Sequence, residues 1–262
     1  MSTLFQRYIG IDYSGAATSQ TGLSGLRVFV AVGSDAPQEI RNPSRPSGHW
    51  SREALAHWVR DRLREPVATV VGVDHGFAFP QAYFDLHGVP TNWHVFLDDF
   101  CQHWPTDAPG VSVRDVRAGR VGAAAARGGD SRWRRTIEQR CAAKSVFHFD
   151  VPGSVASSTH AGLPWLRWLL QQVPELHCWP FDGWAIPVGR SVICEAYPAL
   201  VSHRYPNTFA KQDQHDAYAL CRWLAEADQE GSLHTVFAPV LSSDEAERVA
   251  MEGWILGYPQ PS

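Results

Sequence analysis

The sequence predicts an α/β chain, an open sheet covered on both faces by helices. Three observations carry this reading. Arg7–Asp12, Ala68–Asp74 and Ser191–Glu195 are short apolar runs that each end on an acid. Continuous apolarity over a strand's length is the pattern of a strand buried on both faces. Between and after these runs, apolar residues return at helical spacing: Leu55, Val59 and Leu63 in one segment, Leu220, Trp223 and Leu224 in another. The three strand-end acids would line one sheet edge, outside the carboxyl ends of the strands, where open α/β sheets hold their chemistry.

Taken in order, Arg7–Asp12 is the first strand, broken by the small residues of Tyr13-Ser14-Gly15-Ala16. Leu26–Val32 reads as a second strand and Glu39–Pro43 as a short edge strand, so the chain begins as an antiparallel meander. Ser51 is placed to cap a helix over 52–64, with Glu53 in its first turn. The strand ending at Asp74 leads into His75-Gly76-Phe77-Ala78-Phe79-Pro80, whose glycine and proline make it a loop. Asn92–Trp104 reads as a helix. Gly153–His160 is a hydroxyl-rich loop, with Ser154, Ser157, Ser158 and Thr159 as candidate phosphate contacts, and a short helix follows from Pro164 to Val173. Gln212–Ala227 is a helix whose stripe of Leu220, Trp223 and Leu224 continues back to Asp213 and Asp216. Ser242-Ser243-Asp244-Glu245 opens the last helix as a capping box, and that helix is expected to run to Trp254-Ile255-Leu256.

Composition narrows the function classes. The net charge of −4 exerts no global pull toward nucleic acid, and five cysteines without a C-x-x-C pair give neither a disulfide framework nor a zinc knuckle. No apolar run reaches membrane-spanning length and no leader pattern opens the chain, so a cytoplasmic protein is expected. Charge is distributed unevenly. Arg114 to Lys144 holds nine basic residues against three acids, leaving −10 for the rest of the chain. Such an insert could hold a phosphate backbone through Arg132, Arg134, Arg135 and Lys144, or be a solvated helix face with local pairing. One domain over 1–262 is expected, with an irregular basic insertion at about 105–190.

The candidate site is Asp12, Asp74, Glu195 and Asp216, with Asp213 beside them. Gathered carboxylates raise each other's pKa and oppose burial, and a divalent cation resolves the conflict. An all-oxygen donor set suits Mg²⁺ or Mn²⁺. Ser14, His75, Ser157 and His215 adjoin these acids in sequence or in the expected fold and could touch a substrate phosphate or relay a proton; His160 is a further candidate. Each of these residues also has an ordinary reading as a turn, cap or local hydrogen-bonding residue.

Gly10-Ile11-Asp12-Tyr13-Ser14, Gly72-Val73-Asp74, Cys194-Glu195-Ala196-Tyr197-Pro198, His215-Asp216-Ala217-Tyr218 and Glu252-Gly253-Trp254-Ile255-Leu256-Gly257, in that order, resemble the DUF429 family, described as predicted nucleases with a ribonuclease H-like fold. The resemblance implies a mixed five-stranded sheet of order 3-2-1-4-5 flanked by helices, and a metal site of the retroviral-integrase and junction-resolvase kind. It makes Asp12 the first-strand acid, Asp74 the fourth-strand acid and Asp216 the late-helix acid. Glu195 falls in the family's Glu-x-Tyr-Pro strand, and Asp213 with Asp216 resembles the paired acids of resolvases. The function so implied is metal-dependent phosphodiester hydrolysis on nucleic acid. Two alternatives stand beside it: a phosphotransferase, because Gly-Ile-Asp-x-Ser-Gly also resembles the first phosphate loop of actin-like kinases, and a non-catalytic nucleic-acid-binding module.

Overall fold

The computed structural model describes residues 3–258. Its centre is a six-stranded mixed sheet: β1 (Arg7–Asp12), β2 (Arg27–Val32), β3 (Gln38–Glu39), β4 (Thr69–Asp74), β5 (His177–Trp179) and β6 (Val192–Glu195). Their spatial order is β3-β2-β1-β4-β6-β5. The meander β1-β2-β3 is antiparallel, and β4, β6 and β5 extend the sheet in parallel from the other side of β1. Nine α-helices and three short 3₁₀ helices complete the regular structure of the described residues; the α-helices are α1 (Arg52–Leu63), α2 (Gln81–His87), α3 (Trp93–His103), α4 (Val113–Arg117), α5 (Thr136–Arg140), α6 (Ala156–Gln172), α7 (Gln212–Gln229), α8 (Leu233–Val236) and α9 (Ser243–Glu252).

Alternation along each strand sorts the core into two. Ile9, Ile11, Val71, Val73 and Ile193 face α1 and α6, while Tyr8, Val70, Val192 and Cys194 face α7. α7 lies along β1 and β2 because Gly10 allows it. A Cβ there would sit 2.4 Å from the Ala217 carbonyl oxygen and 2.6 Å from the Cys221 nitrogen. Among the described residues no helix is long and apolar enough to cross a membrane.

Several expectations change. The 105–190 segment is not irregular: it supplies α6, which packs against α1 and α3, and β5, an unforeseen edge strand. The expected order 3-2-1-4-5 is therefore present with a sixth strand added outside the strand that ends at Glu195. The third strand is only Gln38–Glu39. The hydroxyl-rich stretch is not a loop to its end, because α6 begins at Ala156 and Ser157, Ser158 and Thr159 lie in its first turns. Pro164 sits inside that helix and cannot donate to the His160 carbonyl. Thr106 Oγ1 donates to that carbonyl instead, at 2.7 Å. The last helix has its capping box at Ser242 and Glu245 but stops at Glu252, before a glycine at φ +74°.

Gly10→Val should destabilise the protein by about 3 kcal/mol or more, since the added atoms meet helix backbone that cannot rotate away. Urea unfolding should show a lower midpoint, and an unchanged midpoint would mean that α7 is not held at this distance.

Candidate acidic site at the carboxyl edge of the sheet

β1 and β4 are parallel and in register, so Asp12 and Asp74 are direct neighbours at the strand ends. Paired residues on adjacent strands point to the same face. That face carries Gly10 and Gly72, against which α7 packs. The close approach of α7 brings its first turns, with Asp213 and Asp216, over the two strand ends. A Cβ on Gly25 would lie 3.3 Å from Asp213 Oδ2 and 4.0 Å from Ser14 Oγ, so Ser14 and Asp213 both border Gly25, just before β2. The turn after β1 is also pressed onto the start of α6: a Cβ on Gly15 would lie 2.0 Å from the Ser157 carbonyl oxygen. Ser14 and Ser157 thus flank the same turn.

The electrostatics follow from this crowding. Asp12 is half-buried, and its carboxyl is pushed up to about 9 by burial first, then by the charges of Asp74, Asp213 and Asp216, with Arg27 opposing. Asp74 is pushed up to about 8 by burial, Asp216 and Glu195. Asp216 is raised by burial, although Gln212 donates to its Oδ1 at 2.9 Å. Among the described residues, neither Asp12 nor Asp74 has a hydrogen-bond or ion-pair partner. The nearest cation is Arg27, opposite Asp12 on β2, and it is committed to Glu39 at 2.9 Å. Asp12, Asp74, Asp213 and Asp216 are therefore brought together as hard oxygen donors short of positive charge, the condition a divalent cation relieves. Among the described residues, no three His, Cys, Asp or Glu side chains already converge as a metal-binding group.

Glu195 is not part of this cluster. It pairs in register with Val73, not with Asp74, so its side chain leaves the opposite face of the sheet. There it is 4% exposed and fully engaged. Arg135 donates Nη1 to Oε2 at 2.7 Å and Nη2 to Oε1 at 2.6 Å, and the Phe77 amide donates to Oε2 at 2.9 Å. Both of its oxygens thus have donors, which Asp12 and Asp74 lack, while its charge still helps to raise Asp74. Arg135 is correspondingly no surface cation: it is 1% exposed and also binds Glu138 at 2.9 Å. Glu252 extends the lattice. It accepts from the Gln81 amide at 2.7 Å and from the Thr136 amide and hydroxyl at 2.7 and 2.8 Å. The acid of the Glu-Gly-Trp stretch is thus a structural anchor that sequence reasoning missed.

The rest of the basic segment is mostly paired with acids of the chain. Arg117 binds Asp150, Arg120 binds Asp115, Arg127 binds Asp99, Arg132 binds Asp130 and Arg140 binds Glu245. With Arg135, six of the nine cations are paired within the chain, three of them locally, to Asp115, Asp130 and Glu138, and the others to acids outside the segment. Arg134 is exposed. Lys144 donates to the Pro152 carbonyl and lines a cleft with Asp74, Glu195 and Tyr197, which Arg135 lines as well.

The histidines are inward. His75 is buried against Tyr13 on the face opposite the acids, its Nδ1 is 2.9 Å from the Gly76 carbonyl, and burial pushes it down to about 4. His160 is fully buried among Phe79, Phe100, Trp104 and Phe149, away from the acids. His215 lies buried on α7, its Nε2 3.2 Å from the Ser202 carbonyl. His75 nonetheless lines a cleft with Asp74, and His215 acts on Asp216 through its charge, while His160 packs only among aromatic rings.

No family model, curated protein or solved structure matches the chain.

Two outcomes follow. An acid whose folded pKa lies above its unfolded value of 3.8 keeps its proton in the folded state after the unfolded chain has lost it. Between about pH 4 and the folded values of about 8 and 9, the unfolded state binds fewer protons, so stability falls as pH rises. Metal-free protein should therefore melt at progressively lower temperature across that window, and Asp12→Asn should flatten the slope and raise the melting temperature near pH 8. Separately, Arg135→Met should cost about 3–5 kcal/mol in urea unfolding, because it strands Glu195 and Glu138 without their counter-charge.

Proposed function

We propose that the protein is a metal-dependent phosphodiester hydrolase of the ribonuclease H-like kind, with nucleic acid as its substrate class. The observation that carries this reading is the in-register pair Asp12 and Asp74, faced by Asp213 and Asp216 from α7 and short of donors. Its support from sequence is the ordered resemblance to DUF429, in which three of these four acids occupy the family's acidic positions.

Asp12, Asp74 and Asp216 would hold Mg²⁺ or Mn²⁺, with Asp213 next to them beside Ser14. When bound, such an ion activates water and stabilises the leaving oxygen of a phosphodiester. The chain's own residues contribute position and charge. The register of β1 and β4 fixes the spacing of Asp12 and Asp74, and Gln212 orients Asp216 through its 2.9 Å contact. The Ser14 hydroxyl stands where a substrate phosphate oxygen would approach the edge, and Lys144 offers positive charge at the adjoining cleft. Glu195 and Arg135 act behind the site by fixing the loop after β4 through the Phe77 amide. Backbone holding would fall to Lys144, Arg134 and whichever surface pairs, such as Arg132 with Asp130, exchange an internal carboxylate for a phosphate.

Cleavage of a labelled panel of single strands, duplexes, hybrids and junctions tests the reading. Cutting is expected in Mn²⁺ or Mg²⁺, none in EDTA, and a loss of at least a hundredfold in Asp12→Asn with the fold retained by circular dichroism. Metal-independent cutting, or full activity in that variant, would remove the acidic edge from the mechanism.

A further inference from the structure

The opposite face of the same strands holds a second feature. Between the sheet, α1 and α6 lies a cavity with a volume of about 40 Å³ for the centres of water-sized molecules. One buried water needs about 10–15 Å³ on that measure, so the space admits several waters or a ligand of a few heavy atoms. Its walls are aliphatic, with Val73 and Ile193 from the sheet, Val59 from α1 and Leu166 from α6. Beside His75, whose Nδ1 is held at the Gly76 carbonyl, three further polar side chains come into this lining: Tyr13, Arg52 and Trp165. Each has a buried polar atom without a partner, namely Tyr13 Oη, Arg52 Nε and Trp165 Nε1.

Arg52 is the informative member. It is 0% exposed, and no carboxylate among the described residues pairs with it. Its terminal nitrogens donate only to carbonyls, Ser14 at 3.1 Å and Ala16 at 2.6 Å through Nη1, and Ala17 at 3.1 Å through Nη2. These contacts explain its structural use in holding the turn after β1. They leave its charge uncompensated, whereas Arg135 has two carboxylates. A buried cation without a counter-ion is costly, and so is each buried donor without an acceptor. Three donors and one positive charge in an aliphatic cavity are complementary to a small anion that carries its own acceptors and an apolar tail.

We propose that this cavity is a binding site for a short-chain monocarboxylate, its carboxylate received by Arg52, Tyr13 and Trp165 and its alkyl tail lying between α1 and α6. The site is separate from the acidic edge and does not depend on the hydrolase reading.

The probes are unbranched carboxylates from two to eight carbons, followed by melting temperature and calorimetry on the full chain, with alcohols of equal tail length alongside. Binding should pass through an optimum at intermediate length, because the space between α1 and α6 is limited to about 40 Å³, and the alcohols should bind at least tenfold more weakly. Tyr13→Phe removes an unpartnered hydroxyl, so the free protein should stay folded while carboxylate affinity falls about tenfold. Ala56→Leu fills the cavity from α1 and should abolish binding. Should that variant unfold, Tyr13→Phe and the length series still decide. Absence of binding by every acid in the series would overturn the proposal and leave only waters at the three donors. Binding that rises steadily with chain length, or is untouched by Tyr13→Phe, would place the acids on an outer apolar surface and overturn it equally.

Discussion

Backbone contact between α7 and the middle of β1 sets the geometry of the acidic edge. At Gly10 the helix backbone occupies the space where any side chain would stand, so sheet and helix meet at a distance that only hydrogen permits at that position. The consequence appears two residues along the strand. The next side chain on the same face is Asp12, and the helix that touches Gly10 through Ala217 and Cys221 carries Asp216 and Asp213 one to two turns earlier. A larger residue at position 10 would push the helix out and separate the acids. The glycine thereby forces four carboxylates to share one region of low polarity, and the raised proton affinity of Asp12 and Asp74 is the electrostatic record of that constraint.

The insertion is tied to the same sheet by a different interaction. Arg135, at the start of α5, reaches both oxygens of Glu195, and Glu252 binds α5 and α2 together. Burying Arg135 between two carboxylates gives a net negative group of three, balanced in part by the Phe77 amide. Buried pairs of this kind contribute less to net stability than to uniqueness of arrangement, since removing one member is far worse than keeping both. Here the arrangement fixed is the position of the 113–155 segment over the carboxyl edge, which is also what places Lys144 beside Asp74.

Much of this was legible in the residues and some was not, for definite reasons. β1, β4 and β6 announce themselves as apolar runs because burial on both faces leaves no room for polar positions. The capping Ser51, Asn92 and Ser242 mark helix starts because a side-chain oxygen must meet an unpaired amide. The face of Glu195 is not legible locally, because a strand-end acid reveals its face only through register, and register is a tertiary property: the one-residue offset between β4 and β6 sends it to the face opposite Asp12 and Asp74. Arg135 sits in a run of arginines that looks solvated, and nothing local distinguishes the one that is buried. The start of α6 was hidden because Pro164 reads as a first-turn residue, and the carbonyl it frees is met by Thr106, 54 positions earlier than His160. β5 is three residues long, too short for any period to show.

Alternation at the strand ends gives the edge two chemistries rather than one. Asp12 and Asp74 leave the α7 face, and their immediate successors Tyr13 and His75 leave the other, where their rings meet edge to face at 4.7 Å. One face thus collects Asp12, Asp74, Asp213 and Asp216, and the other holds Arg52, a buried cation with no carboxylate partner among the described residues. The two cannot neutralise each other, because the sheet lies between them and a strand's pleat does not let adjacent side chains cross. Each must be balanced from outside the chain or carry the cost in stability. Because Asp12 and Tyr13 share a peptide bond, a ligand that fixed the Tyr13 ring would also restrict the backbone that aims Asp12. The turn they open is held rigid on both sides, by Arg52 on three carbonyls and by Ser157 against Gly15. That rigidity keeps two half-buried acids at one spacing despite their repulsion, which is the preorganisation an electrostatic site requires.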